Sequence, residues 1–150
     1  MARKRVEIVS LKMVRESSVY YDARRINSPN DLYDLLAEFL VDSDKEKLMV
    51  VCLNTKNEPV NITTVSIGTL KESLAVPREI LKTAILSNSA KIMLAHNHPS
   101  GDTTPSKEDW RTTERLAQAG KIVGVELLDH IIIGGSSYTS LRVMDSDVFK

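Results

Sequence analysis

A single cysteine, Cys52, rules out any disulfide within the 150-residue chain. The fold must therefore hold without covalent cross-links, and the reducing cytoplasm is the expected compartment. Cys52 itself lies in the apolar run Leu48 to Leu53 and reads as a buried strand residue. Net charge is also lacking, because 20 lysines and arginines balance 20 aspartates and glutamates. A surface built to neutralise many phosphates needs a surplus of cations, so any DNA binding is expected to be weak and non-specific. Long hydrophobic runs are missing too, and nothing nears the roughly 18 apolar residues of a membrane span. The basic start, Met1-Ala2-Arg3-Lys4-Arg5, leads into no signal-peptide core, since Glu7, Lys12, Arg15 and Glu16 interrupt the run. Repeats, low-complexity tracts and long linkers are absent. What remains, 42% hydrophobic and 27% charged, is an ordinary globular composition, and one domain over residues 1–150 is expected.

Periodicity supplies a coarse map. Val6 to Tyr20 alternates imperfectly, with β-branched residues, and predicts one or two outer strands. Ser28-Pro29 opens a helix whose apolar positions Leu32, Leu35, Leu36, Phe39 and Leu40 share one face. The charged stretch Asp42 to Lys47 leads into a strand over Leu48 to Leu53. Asn54 to Asn57 turns the chain into an antiparallel partner, about Val60 to Ile67. Pro77 starts a second helix with Ile80, Leu81, Ala84 and Ile85 inward, and another strand follows from about Lys91. A third helix is expected to be capped by Thr104 with Pro105 in its first turn, and to end at Gly120. Val125 to Ile133 and Tyr138 to Leu141 close the domain as strands, and the tail from Met144 carries no signal. The pattern is an α/β domain with three helices packed on a curved mixed sheet.

The chemistry concentrates between residues 92 and 109. Ile92 to Ala95 is an apolar run of the kind buried on both faces. If the backbone stays extended beyond it, His96 and His98 point the same way, because side chains alternate along a strand. Ser106 and Asp109 lie three apart at the start of the following helix and share its face. Two imidazoles and a carboxylate converging on one point make a three-ligand zinc site with one position open, the catalytic arrangement. The competing reading treats Ser106 and Asp109 as a helix-capping pair. With Thr104 taken as the cap, the aspartate is free to face a cation. His130, in an apolar strand after Asp129, reads as a core histidine with a satisfied ring, or else as a group behind the metal or at the substrate. Trp110 reads as a packing residue. Cysteine-ligated deaminase chemistry is excluded because its Pro-Cys-x-x-Cys has no counterpart. The string His-Asn-His is no HNH nuclease signal either, since that motif is dispersed over a longer ββα unit.

The segment matches, at each defined position, the JAMM (MPN-plus) metalloprotease motif His-x-His-Pro-x6-Ser-x2-Asp. Around it, Leu94-Ala95-His96-Asn97-His98-Pro99-Ser100-Gly101-Asp102, Pro105-Ser106 and Leu128-Asp129-His130-Ile131-Ile132-Ile133-Gly134 resemble the RadC family. Gly68-Thr69 and Pro77-Arg78-Glu79 do so as well, and the likeness runs from about Ser28 to Leu141. The resemblance implies the JAB/MPN fold, related to cytidine deaminases, and one zinc ion held by His96, His98 and Asp109. It also implies that Ser106 helps hold the oxyanion. The family's glutamate at the start of the strand after the first long helix corresponds best to Glu46, with Glu58 as the competitor.

Three features depart from the pattern. Asn97 stands where JAMM deubiquitinases carry Ser or Thr, though Asn is the RadC form; Val76-Pro77 replaces the usual His-Pro; and 150 residues leave no room for the helix-hairpin-helix region of longer members. The expected activity is zinc-dependent hydrolysis of peptide or isopeptide bonds in a peptide or protein substrate, with Glu46 as general base. The alternatives are a DNA-repair-associated role and a non-catalytic zinc-binding module.

Overall fold

The computed structural model describes residues 1–67 and 76–150, which leaves Gly68-Thr69 outside the described residues. Helix α1 (Pro29–Leu40) begins where Ser28 Oγ accepts the backbone N–H of Asp31 and Pro29 occupies the first turn. Its buried side chains, Leu32, Leu35, Leu36 and Leu40, repeat at helical spacing. Burying each stabilises the fold by about 1.5–3 kcal/mol relative to exposure. Phe39 is only half-buried.

Five strands follow: β1 (Lys47–Leu53), β2 (Pro59–Ile67), β3 (Lys91–Asn97), β4 (Glu126–Gly134) and β5 (Ser137–Ser140), ordered β2-β1-β3-β4-β5 in one sheet. Pairing is antiparallel except between β3 and β4, which run parallel around the crossover helix α3 (Lys107–Val123). The sheet is therefore mixed, as the alternation of elements predicts.

Both faces of the central strands are covered, which is why β1 and β3 are nearly continuous apolar runs. Met49, Val51, Leu53, Met93, Ala95, Ile131 and Ile133 pack under α1. Leu48, Val50, Cys52, Ile92 and Leu94 pack on the opposite face, under α3 and helix α2 (Pro77–Leu86). Burial pushes the Cys52 thiol up to about 11, against hydrogen bonds from Ser89 and Ser87 that lower it. It is an inert core group.

Several expectations are corrected. Residues 1–20 form no strand and are exposed throughout, with Val6, Ile8, Val9 and Leu11 in the open, so β-propensity there is not matched by any pairing within the described chain. Ile85 is 54% exposed, and α2 buries Ile80, Leu81 and Ala84 alone. Helix α3 runs past Gly120 to a left-handed C-cap at Gly124 (φ 82°). Gly120 serves close approach instead, because a Cβ there would collide with the backbone of Val125, whose N–H bonds the Gly120 carbonyl at 2.8 Å. The tail carries more than expected: helix α4 (Leu141–Met144) and a 3-10 turn (Ser146–Phe149) bring Phe149 into the core.

Candidate metal centre

The site forms where β3 ends beside the start of α3. The His98 N–H bonds the Ile133 carbonyl at 2.9 Å, which carries the extended backbone one residue beyond the strand. His96 and His98 consequently face the same way, with their Nε2 atoms 3.0 Å apart. Asp109 completes the cluster: its Oδ1 is 3.2 Å from His96 Nε2 and its Oδ2 is 3.4 Å from His98 Nε2. Every ligand atom of this trio lies within 4.8 Å of the others, close enough to share one metal ion.

The donor set fits zinc. Nδ1 of His98 is 2.7 Å from the Asp102 carbonyl, which can only accept, so Nδ1 carries the hydrogen and Nε2 offers its lone pair. Two imidazoles, which ligate in their neutral form, and a carboxylate make a nitrogen and oxygen donor set suited to Zn²⁺ with a position left open. His96 is fully buried and Asp109 nearly so, whereas the His98 side chain is 16% exposed and opens the cluster to solvent.

The helix start differs from the expected one. Ser106, not Thr104, is the N-cap of α3. Thr104 is tied to the preceding loop, since its hydroxyl and N–H both donate to Asp102 Oδ1, at 2.7 and 3.0 Å. Ser106 Oγ accepts the Asp109 N–H at 3.1 Å, and Asp109 Oδ2 accepts the Ser106 N–H at 2.8 Å, a reciprocal capping box. Asp109 is thus a capping residue whose carboxylate also faces His96 and His98. Burial raises its pKa, but the hydrogen bond and charge that His96 supplies when its ring is protonated, aided by the Ser106 N–H, outweigh it and hold the carboxyl below the usual carboxylate range.

Glu46 lines an open cleft of about 400 Å³ together with His98, Pro99, Ser100, Ser106, Glu108 and Asp109. Glu58 lies at the far end of β1, in the turn to β2, ion-paired with Arg24 at 3.4 Å. Ser106, with its oxygen accepting the cap bond, keeps a hydroxyl hydrogen to donate into the cleft.

His130 on β4 is buried among polar partners. Its Nε2 is 2.7 Å from His96 Nδ1, and its Nδ1 is 2.7 Å from Thr113 Oγ1 on α3. Both readings of this residue meet here: the ring is satisfied, and one of its partners is a candidate ligand. Burial above all, then repulsion from His96, keeps its pKa well below the ordinary histidine value, so it is neutral. Asp129 next to it accepts from Ser140 Oγ (2.7 Å) and from the N–H groups of His130 and Arg142, tying β4 to the start of α4. Trp110 packs against the core beneath α3.

Sequence reasoning missed the role of Asn97. Its Oδ1 accepts the Lys47 N–H at 2.8 Å, and its Nδ2 donates to the carbonyls of Lys45 (3.0 Å) and Ser43 (3.4 Å). It pins the segment carrying Glu46 to the strand carrying both histidines. The available signal was an amide at an alternating position between them, on the other face of an apolar strand.

Comparison with known proteins identifies the family. The sequence profile of the RadC-like JAB domain matches residues 26–146, and the chain belongs to that family. The UPF0758 protein of Rubrobacter xylanophilus is 44% identical over 143 residues, covering 94% of this chain and 63% of that protein. The UPF0758 protein of Methanosarcina barkeri is 43% identical over 127 residues, 85% of this chain and 56% of that one. That of Desulforamulus reducens is 50% identical over 117 residues, 78% and 52% respectively. The chain therefore spans between about half and 63% of these relatives' length.

Proposed function

From membership in the RadC-like JAB family, we propose that this domain is a zinc-dependent hydrolase of peptide or isopeptide bonds. One observation carries the reading: His96 Nε2, His98 Nε2 and the Asp109 carboxylate converge beside an open cleft, with the His98 lone pair committed to that point. His96, His98 and Asp109 would hold the ion. When bound, zinc supplies Lewis acidity, polarising a carbonyl and lowering the pKa of water from 15.7 towards about 7.

The chain supplies the rest. Glu46 takes a proton from the attacking water as its oxygen bonds to the scissile carbon, and returns that proton to the nitrogen as the C–N bond breaks. Ser106 donates its hydroxyl hydrogen to the developing oxyanion. The partly exposed position of His98 in the open cleft leaves room for an extended peptide chain. The partner is accordingly a peptide or protein, and the balanced charge of the chain supports no more than weak DNA binding. Among the described residues no helix is long and apolar enough to cross a membrane, and the proposed location is the cytoplasm.

Elemental analysis and a peptide-library screen test the reading together. About one zinc per chain and cleavage abolished by chelation are expected, with His96→Ala losing both. Zinc content unchanged in His96→Ala would show that the site is wrongly assigned.

A further inference from the structure

The hydrogens behind His96 can be assigned by counting donors. Thr113 Oγ1 lies 2.7 Å from the Asp109 carbonyl, which only accepts, so the single hydroxyl hydrogen of Thr113 goes there. The same oxygen, 2.7 Å from His130 Nδ1, is left to accept, and His130 must carry its hydrogen on Nδ1. Its Nε2 is then a lone pair, and His96 Nδ1, 2.7 Å away, must be the donor. The lone pair of His96 is thereby left on Nε2, the atom that faces Asp109 and His98. Thr113, His130 and His96 are all fully buried, so no solvent exchange relaxes the order.

We propose that Thr113 and His130 are positioning residues that lock His96 in its Nδ1–H tautomer before any metal arrives. The inference rests on the metal-site reading above. The chain of bonds starts on the backbone of one ligand, Asp109, and ends on the ring of another, His96. Helix α3 and strand β3 are therefore coupled through hydrogen-bond direction as well as packing. Ligating histidines oriented in this way bind metal more tightly, and loss of such a partner typically costs 10–100-fold in affinity.

The test compares Thr113→Val, which keeps the shape and removes the hydroxyl, with Thr113→Ser, which restores it. Zinc dissociation constants come from chelator competition. Nitrogen-15 spectra of the histidine rings are recorded on metal-free protein at about pH 8, where imidazole is neutral. His96 should be protonated on Nδ1 in the wild type and in Thr113→Ser. Thr113→Val should bind zinc about 10–100-fold more weakly, with His96 and His130 shifted towards the opposite tautomers. Equal zinc affinity in Thr113→Val, or affinity as poor in Thr113→Ser as in Thr113→Val, overturns the proposal. So does metal-free wild type with the His96 hydrogen on Nε2, a measurement that decides even if Thr113→Val does not fold. A wild-type protein with the expected tautomer but no affinity for zinc overturns the metal reading instead.

Discussion

Replacing Asn97 by alanine separates the two halves of the proposed machinery. Asn97 is 2% exposed, and its amide makes two short hydrogen bonds, to Lys47 N (2.8 Å) and Lys45 O (3.0 Å), and a longer one to Ser43 O (3.4 Å). At a net worth of about 1 kcal/mol each, with the long one discounted, Asn97→Ala is expected to cost about 2–3 kcal/mol. For a domain of this size that lowers Tm by about 4–12 °C. His96 and His98 alternate with Asn97 and keep their own partners, so zinc content should hold at the wild-type value. Turnover should not hold. The segment from Ser43 to Lys47 loses its ties to β3, and a displacement of about 1 Å at a catalytic group can cost on the order of 10²-fold in rate.

Asn97→Asp is the informative companion. It preserves the acceptor for Lys47 N–H but sets a carboxylate oxygen against two carbonyls that had received hydrogen bonds, so it should rescue neither stability nor rate. Differential scanning calorimetry, zinc analysis and amide exchange at Lys47 read the three consequences separately. An Asn97→Ala protein with wild-type melting, wild-type Lys47 protection and wild-type cleavage would refute the argument that this amide braces Glu46.

Glu46→Gln removes the proposed base while keeping its size; kcat should fall about 10²–10⁴-fold with zinc content and Tm unchanged. Glu58→Gln, at the far end of β1 and held by Arg24, should be close to silent, and the reverse pattern would transfer the role to Glu58. For pH, His130 stays neutral in the fold while the unfolded chain protonates it near 6.5. The unfolded state then binds more protons, so the stability of metal-free protein is full above about pH 6.5 and falls below it, by at most about 1.4 kcal/mol per pH unit. His130→Gln should flatten that slope in thermal melts between about pH 7 and 5, and an unchanged slope would contradict the assignment. Asp109, with its folded pKa depressed, adds stability above the ordinary carboxylate range that is lost only as pH falls further, through its folded value.

The sheet and its helices were largely legible because each strand and helix announces its own period. The leucines of α1, the apolar runs of β1 and β3 and the asparagine-rich turn before β2 all depend on local pattern and burial. The misreadings at the two ends of α3 fall where a specific neighbour outweighs what the residue's composition suggests. Thr104 has the composition of a cap, but Asp102 captures both its hydroxyl and its N–H, and the helix starts two residues later. Gly120 looks like a stop, yet its missing side chain admits the returning Val125 backbone while Gly124 makes the turn. The trio His96, His98 and Asp109 was readable because its members lie within 14 positions on two consecutive elements. The His130–Thr113 link joins β4 to α3 across 17 positions, and the clamp of Asn97 on Lys45 and Lys47 spans about 50. Spacing along the chain gives no notice of contacts made through the sheet.

Ser106 and Asp109 show why a structural explanation for a residue does not displace a functional one. As a capping box, the pair satisfies backbone donors at the start of α3 and is sufficient reason for both residues to be there. Yet the same bonds fix the Asp109 side chain in one orientation, with Oδ1 turned towards His96, and hold it at the positive end of the helix dipole, where a carboxylate stays ionised. A carboxylate must be deprotonated to bind zinc and binds it more tightly when its orientation is fixed beforehand, and the cap favours both. Ser106 follows the same logic, because its oxygen is engaged by the cap while its hydrogen remains free to give. Under the metal-site reading proposed above, the helix start is the device that would present the carboxylate to a cation, and a substitution in the pair would act on folding and on metal binding through the same two hydrogen bonds.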